Sequence, residues 1–271
     1  MLRICNVQYR KWRGGGRVKF KRPTEEAYEE LQAAYDYYND HLFEALLPPC
    51  LITFQREKRS MGYFSKSRFI RRDGVQTDEI AMNPDFFAVV PLVEILQTLV
   101  HEMAHLWQAH FGTPSRACYH NREWALKMER IGLMPSDTGQ PGGKKVGQSM
   151  NDYVILGGRF DMATRQLLER GFAISWMDRY PSPYQFPSQP AQAFAPTGAP
   201  QIEQGDEVSG HVTARLEAAL QIPAEQGLDV SIREAGDKSN RVKYSCPGCK
   251  SNVWGKPGLK LICEPCEMRL E

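Results

Sequence analysis

The chain has 271 residues, 42% of them hydrophobic and 24% charged, with a net charge of +2. That length allows one large domain or two smaller ones, and so small a net charge leaves any case for nucleic-acid binding to local clusters. The longest apolar run, FFAVVPLVEIL, is broken by Pro91 and Glu94 and is too short to span a membrane.

The amino terminus, MLRICNVQYRKWRGGG, has no apolar run of the kind a secretory signal needs. Seven cysteines, an odd number, then suit a reducing, cytoplasmic compartment and metal binding rather than disulfides. The first twenty-two residues carry eight basic side chains, Lys11, Arg13 and Arg17 among them, and no acid. They read either as a solvated arm or as one that holds phosphates.

Thr24, followed by Glu25 and Glu26, predicts a capped helix start, and LLPPC stops that helix. LITFQRE, MGYFSKSRFI and DEIAMNP read as short strands. A second helix is expected from Pro91 to Gly112, and a third from His120 or Asn121 to Gly132. Residues 133–150 read as a Gly-rich loop. YVILGGRF, a helix near 161–170 and FAISWMDRY predict a strand–helix–strand addition. Six prolines between Pro181 and Pro200 predict an extended linker, with one weak helix around HVTARLEAALQ beyond it.

The second helix holds His101-Glu102-Met103-Ala104-His105. Four helical residues turn the chain through about 400°, so His101 and His105 share one face, one turn apart. Each can give a single zinc a ring nitrogen, while Glu102 stands beside the metal and can take a proton from an activated water. His110, about 180° from His101, falls on the opposite face. A catalytic zinc needs a third ligand, and His120, Glu123 and Glu129 are the candidates. His120 is preferred because it opens the next helix after a chain reversal at Gly112 and Pro114. The bland alternative makes His101 and His105 core histidines satisfied by hydrogen bonds. Tyr63 and Tyr119 are candidate donors to an oxyanion.

Near the carboxy terminus, Cys246-x-x-Cys249 and Cys263-x-x-Cys266 are separated by thirteen residues. Two such turns complete a closed four-thiolate zinc site, structural because no position stays open. No acid falls between Asp237 and Glu264, whereas Lys243, Lys250 and Lys256 surround Trp254. Phosphates and stacked bases are their expected partners, with a preference for single strands.

These segments resemble the SprT-like zinc metalloprotease family, which includes Spartan-related proteases of DNA–protein crosslinks. The likeness runs over residues 24–132, through ITF, MGYFS, EIAMNP, QTLVHEMAHLWQ and HNREW, and over 241–266, where the bacterial members carry a zinc ribbon. It implies zinc on His101, His105 and His120, with Glu102 as the base. Asn121 stands where the family usually has glycine.

The expected architecture is α+β, a zincin-like domain with a small mixed sheet and an active-site helix, followed by a small zinc ribbon. The expected boundaries are a basic arm at 1–23, the protease domain at 24–180 with an extension from about 133, a linker at 181–237 and the ribbon at 238–271. The expected function is zinc-dependent hydrolysis of peptide bonds in proteins bound or crosslinked to DNA, with one catalytic and one structural zinc and no membrane partner. A non-proteolytic DNA-binding or regulatory protein, and a peptidase without a nucleic-acid role, are the rival readings.

Overall fold

The computed structural model describes residues 21–57, 60–116, 119–181, 217–231 and 241–271. Its main body is built on one long helix, α2 (Leu92–Phe111), with Pro91 and Gly112 at its caps. Apolar residues occupy nearly its whole circumference, Val93, Leu96, Val100 and Met103 among them. A helix apolar all round is one that the rest of the fold surrounds.

A three-stranded mixed sheet lies against it, from β1 (Leu51–Phe54), β2 (Gly62–Ile70) and β3 (Gln76–Met82). The order is β1-β3-β2, with β1 parallel and β2 antiparallel to β3. β2 is therefore an edge. It meets α2 at Gly62, where a Cβ would come within 2.9 Å of both the Thr98 side chain and the Ala81 carbonyl oxygen. No other residue lets the strand lie so close to the helix without something shifting.

Helix α1 (Pro23–Leu42) buries Leu31, Ala34, Tyr35 and Tyr38. It begins earlier than expected: Arg22 caps it, Pro23 supplies the first turn and Thr24 lies inside. Proline, with its fixed φ and absent N–H, suits that first position better than a threonine cap further on. The helix also stops before LLPPC, because Glu44 and Ala45 both take a positive φ of 57°.

Helix α3 (Arg122–Ile131) starts where Asn121 caps it, its side-chain oxygen accepting from the Trp124 N–H at 3.0 Å. Asn121 has an extended φ of −88°, so nothing in this turn requires glycine. The next segment differs from the Gly-rich loop expected for 133–150. Residues Leu133–Ser136 form β4, which pairs antiparallel with β5 (Asn151–Val154). α4 (Arg159–Glu169) then crosses α1, where the Tyr37 hydroxyl donates to Ala163 O at 2.9 Å and Tyr38 meets Thr164 Oγ1 at 2.9 Å. FAISWMDRY adds no strand: residues 172–180 run without sheet partners, and Phe172, Ile174 and Met177 pack on the core.

The expected linker at 181–237 is interrupted. Its prolines from 183 to 200 lie outside the described residues, but 217–231 belong to the main body. Residues 217–220 are helical, with Ala219 buried in the core and Leu220 packed on it. The Ala224 N–H donates to Ala88 O and the Ser231 N–H to Arg179 O, both at 2.9 Å. Ala219 and Leu220 find the core, and this packing overrides the Pro-rich context.

The ribbon comprises β6 (Val242–Ser245) paired with β7 (Asn252–Gly255), and β8 (Ile262–Cys263) paired with β9 (Met268–Arg269). Its buried centre is small: Tyr244, Cys246 and Leu270. Among the described residues, no helix is long and apolar enough to cross a membrane.

Candidate metal centres

His101 and His105 lie one turn apart on α2, and the turn after Gly112 brings His120 back over them. One possible ligand atom from each of the three histidines falls within 4.8 Å of the others. The Nε2 atoms of His105 and His120 are 3.1 Å apart. The edge of a tetrahedron with zinc–nitrogen bonds of about 2.0–2.1 Å is about 3.3 Å, so the pair already has the separation a shared ion needs. Trp124, wholly buried, underlies all three imidazoles: its ring stacks on His105 at 5.1 Å and meets His101 and His120 edge-on at 4.9 and 4.5 Å. The donor set, its spacing and its aromatic floor fit zinc.

Two of the three imidazoles are held through Nδ1 by a neighbour. His120 forms a two-way backbone bridge with Gly147 and sets its Nδ1 3.2 Å from the same carbonyl oxygen. Donation from Nδ1 fixes the tautomer and leaves Nε2 free to ligate. His101 Nδ1 lies 2.8 Å from Asp152 Oδ2. Asp152 is fixed in turn by β5 and by Gln97, whose amide donates to its side chain at 2.7 Å and its carbonyl at 2.8 Å. Burial works against a charged His101, but Asp152 and Glu102 outweigh it and raise its pKa. His105 and His120 are pushed down, by burial first and then by the neighbouring imidazoles, His120 to about 4. These two stay neutral at physiological pH, as metal ligation demands.

Asp152 is the residue of this centre that the sequence did not single out. It lies 51 positions beyond His101, and no local pattern marks it. The only available hint was general: a ligating histidine usually gives its second N–H to a carboxylate or a carbonyl. Replacing it tests its role. Asp152→Asn should weaken metal binding at the three-histidine centre by about 10- to 100-fold, read by competition with a chromogenic chelator. Unchanged affinity would make Asp152 a structural acid only.

Glu102 is buried on α2 beside His101, with the Phe64 backbone N–H as a donor to its carboxylate. Burial pushes its pKa up to about 7, against the pull of His101; a nearby cation would bring it back down. The centre opens into a cavity of about 750 Å³ between β2, α2 and the loops after α2 and β4. Tyr63 and Tyr119 both line it. Tyr63 stands beside the buried Glu79, and the Tyr119 ring lies under the Arg116 guanidinium at 5.2 Å.

The other acids and histidines of this region are engaged elsewhere. His110 Nε2 lies 2.5 Å from Asp78 Oδ2, on the far side of α2. The Glu123 carboxylate accepts from Gln108 and from the Thr113 N–H, and Glu129 pairs with Lys145. Neither carboxylate joins the histidine cluster.

Cys246, Cys249, Cys263 and Cys266 form the second cluster, their sulfurs within 4.8 Å of one another. Cys249 and Cys263 are 3.6 Å apart, near the edge of about 3.8 Å expected for zinc–sulfur bonds of about 2.3 Å. Both turns end in a left-handed residue, Lys250 with φ 61° and Glu267 with φ 50°, so the two halves repeat one conformation. At Gly248 a Cβ would lie 3.2 Å from the Cys266 sulfur, so a larger residue there would require the second turn to give way by a few tenths of an ångström. Ser251 holds the Cys249 thiol down to about 6, whereas the neighbouring Cys249 pushes Cys263 up to about 12. Adjacent thiolates repel, and a divalent cation removes that penalty.

Lys243, Lys250, Trp254 and Lys256 are exposed on the ribbon, and Trp254, with 61% of its surface accessible, stands directly across from Lys243 in the β6–β7 pair. Lys11, Arg13 and Arg17 lie outside the described residues.

The SprT-like family model matches residues 31–142. An uncharacterized protein in the mucB 3′ region of Salmonella typhimurium is 55% identical over 65 residues, 24% of this chain and 88% of that relative. The chain belongs to the SprT-like family. The match to the SprT-like model runs from within α1 through the mixed sheet, α2, the turn that carries His120, and α3, so this is a metalloprotease-type domain. No solved structure matches the chain. The ribbon cysteines lie outside the span of the SprT-like model, and their assignment rests on the geometry above.

Proposed function

We propose that this SprT-like protein is a zinc-dependent endopeptidase that cleaves proteins held on or near DNA. The observation that carries the proposal is Glu102, a buried carboxylate beside three converging imidazoles that open into a cavity of about 750 Å³. His101, His105 and His120 would hold the catalytic zinc and the four cysteines a structural one. When bound, the catalytic zinc supplies a Lewis acid that makes water acidic near neutral pH.

The chain's own groups do the rest. Glu102, oriented by the Phe64 N–H, takes a proton from the attacking water and later returns it to the leaving amine. Trp124 keeps water from beneath the imidazoles. Asp152 and Gly147 hold His101 and His120 in the orientation that faces the substrate.

The DNA half of the proposal is supported by the ribbon, where exposed lysines flank an exposed Trp254 on a strand pair without a single acid. Cations there would neutralise phosphates, and the indole would stack on an unpaired base. The test is a pair of cleavage assays, on a short free peptide and on a protein crosslinked to single-stranded DNA, with and without residues 241–271. Loss of the ribbon should lower cleavage of the crosslinked protein by at least about tenfold and leave the peptide rate intact. With about four phosphate contacts, log K for a single strand should fall against log salt with a slope of about −3. Binding that ignores salt would remove the nucleic-acid role and leave a zinc peptidase.

A further inference from the structure

The cleft is electrically lopsided. Among the described residues that line it, the carboxylates are Glu94, Glu102 and Asp152. Glu102 belongs to the chemistry, and Asp152 is bonded to His101 and Gln97. Glu94 is left over. It is half-buried, faces the cavity, and has no side-chain hydrogen bond or ion pair among the described residues. The cations of the cleft sit elsewhere: the Lys66 ammonium donates to Ala109 O at 3.0 Å, beyond the second histidine of α2, and Arg116 lies over Tyr119. Among the described residues, one end of the cleft is therefore acidic and the other basic.

Seven residues separate Glu94 from His101. At about 100° per residue they return to within about 20° of the same direction, and at about 1.5 Å per residue they stand about 10 Å apart along α2. An extended peptide covers that distance in about three residues. Glu94, Thr98, His101 and His105 therefore form one row along the floor of the cleft, with the unengaged carboxylate at its end.

We infer that Glu94 is a specificity-determining residue, receiving the lysine or arginine side chain of a substrate about three residues from the bond that is cut. This rests on the peptidase reading above. A carboxylate poorly solvated and without a partner gains much from a cation brought to it. Burial, which raises the Glu94 pKa to about 7, is what such a cation would offset. The competing explanation is that Glu94 is there for the helix alone, as an acid in the first turn of α2. That role predicts a small change in Tm on substitution and no change in substrate preference.

The experiment uses the full chain, loaded with zinc, and one peptide series with Lys, Gln or Glu placed in turn at each of five positions on either side of the cut. The wild type should favour Lys over Gln by about tenfold in kcat/KM at one position about three residues from the cut. In Glu94→Gln that ratio should fall to about one, and in Glu94→Lys the preference should move to Glu at the same position. Binding of the same peptides to the Glu102→Gln protein should rank them in the same way. Cleavage without any position-specific cation preference, or a preference that survives in Glu94→Gln, would overturn the assignment. If no peptide is cut at all, the peptidase reading fails, and the binding ranking still decides for or against Glu94.

Discussion

Replacing Glu102 by glutamine should lower the peptide cleavage rate by about 10²- to 10⁴-fold while the zinc content of the protein stays the same. Glutamine keeps the length and the acceptor oxygen that faces the Phe64 N–H, and it fills the same space beneath Gly62, whose Cβ position lies 3.5 Å from Glu102 Cγ. The fold and the three imidazoles are therefore undisturbed, and the loss is confined to proton transfer. Among the described residues no substitute base stands near: Asp152 is already shared between His101 and Gln97, and Glu94 lies about two helical turns away. Metal analysis alongside steady-state kinetics reads both quantities. A variant that keeps a tenth of its activity places the base elsewhere.

The second large effect concerns the ribbon. Cys246→Ser together with Cys249→Ser should remove one metal ion and unfold residues 241–271, while the Tm of the main body holds. Three buried residues, Tyr244, Cys246 and Leu270, cannot bury enough apolar surface to offset the ordering of some thirty residues. The balance has to come from the metal, whose binding to such modules contributes on the order of 10–16 kcal/mol near neutral pH. Loss of dispersed ribbon amide signals in a heteronuclear spectrum, with those of α2 retained, is the expected result. A ribbon that stays dispersed in the double variant, or that never held metal, would contradict it.

Much of the main body was legible in the sequence because its punctuation is strong. Pro91 and Gly112 bracket α2, Asn121 and Gly132 bracket α3, and the 3.6-residue rhythm between them is dense. Helical geometry alone separates His101 and His105 from His110, which the structure finds bonded to Asp78. The parts that stayed hidden depend on partners far along the chain. LMPS becomes a strand only because NDYV pairs with it, and its proline argues locally against one. That pairing positions Asp152 opposite Pro135 and so beneath His101, which no spacing rule foretells. At residues 217–231 the expected weak helix is present at 217–220, but its docking was hidden for the opposite reason: prolines nearby suggested a tether, and the buried side of Ala219 could be recognised only with the core in place.

That last segment limits how far the ribbon can lie from the main body. Since Ser231 is hydrogen-bonded to Arg179 and Arg241 begins the ribbon, nine residues, 232–240, join the two. Even fully extended, ten peptide steps reach about 35 Å, the rise of roughly ten base pairs of duplex. If the ribbon grips a strand, as proposed above, its cargo would thus stay within a bounded distance of the main body, which raises the effective concentration at which the two meet. Lengthening the chain between 231 and 241 would dilute that encounter without touching a single residue of either metal centre.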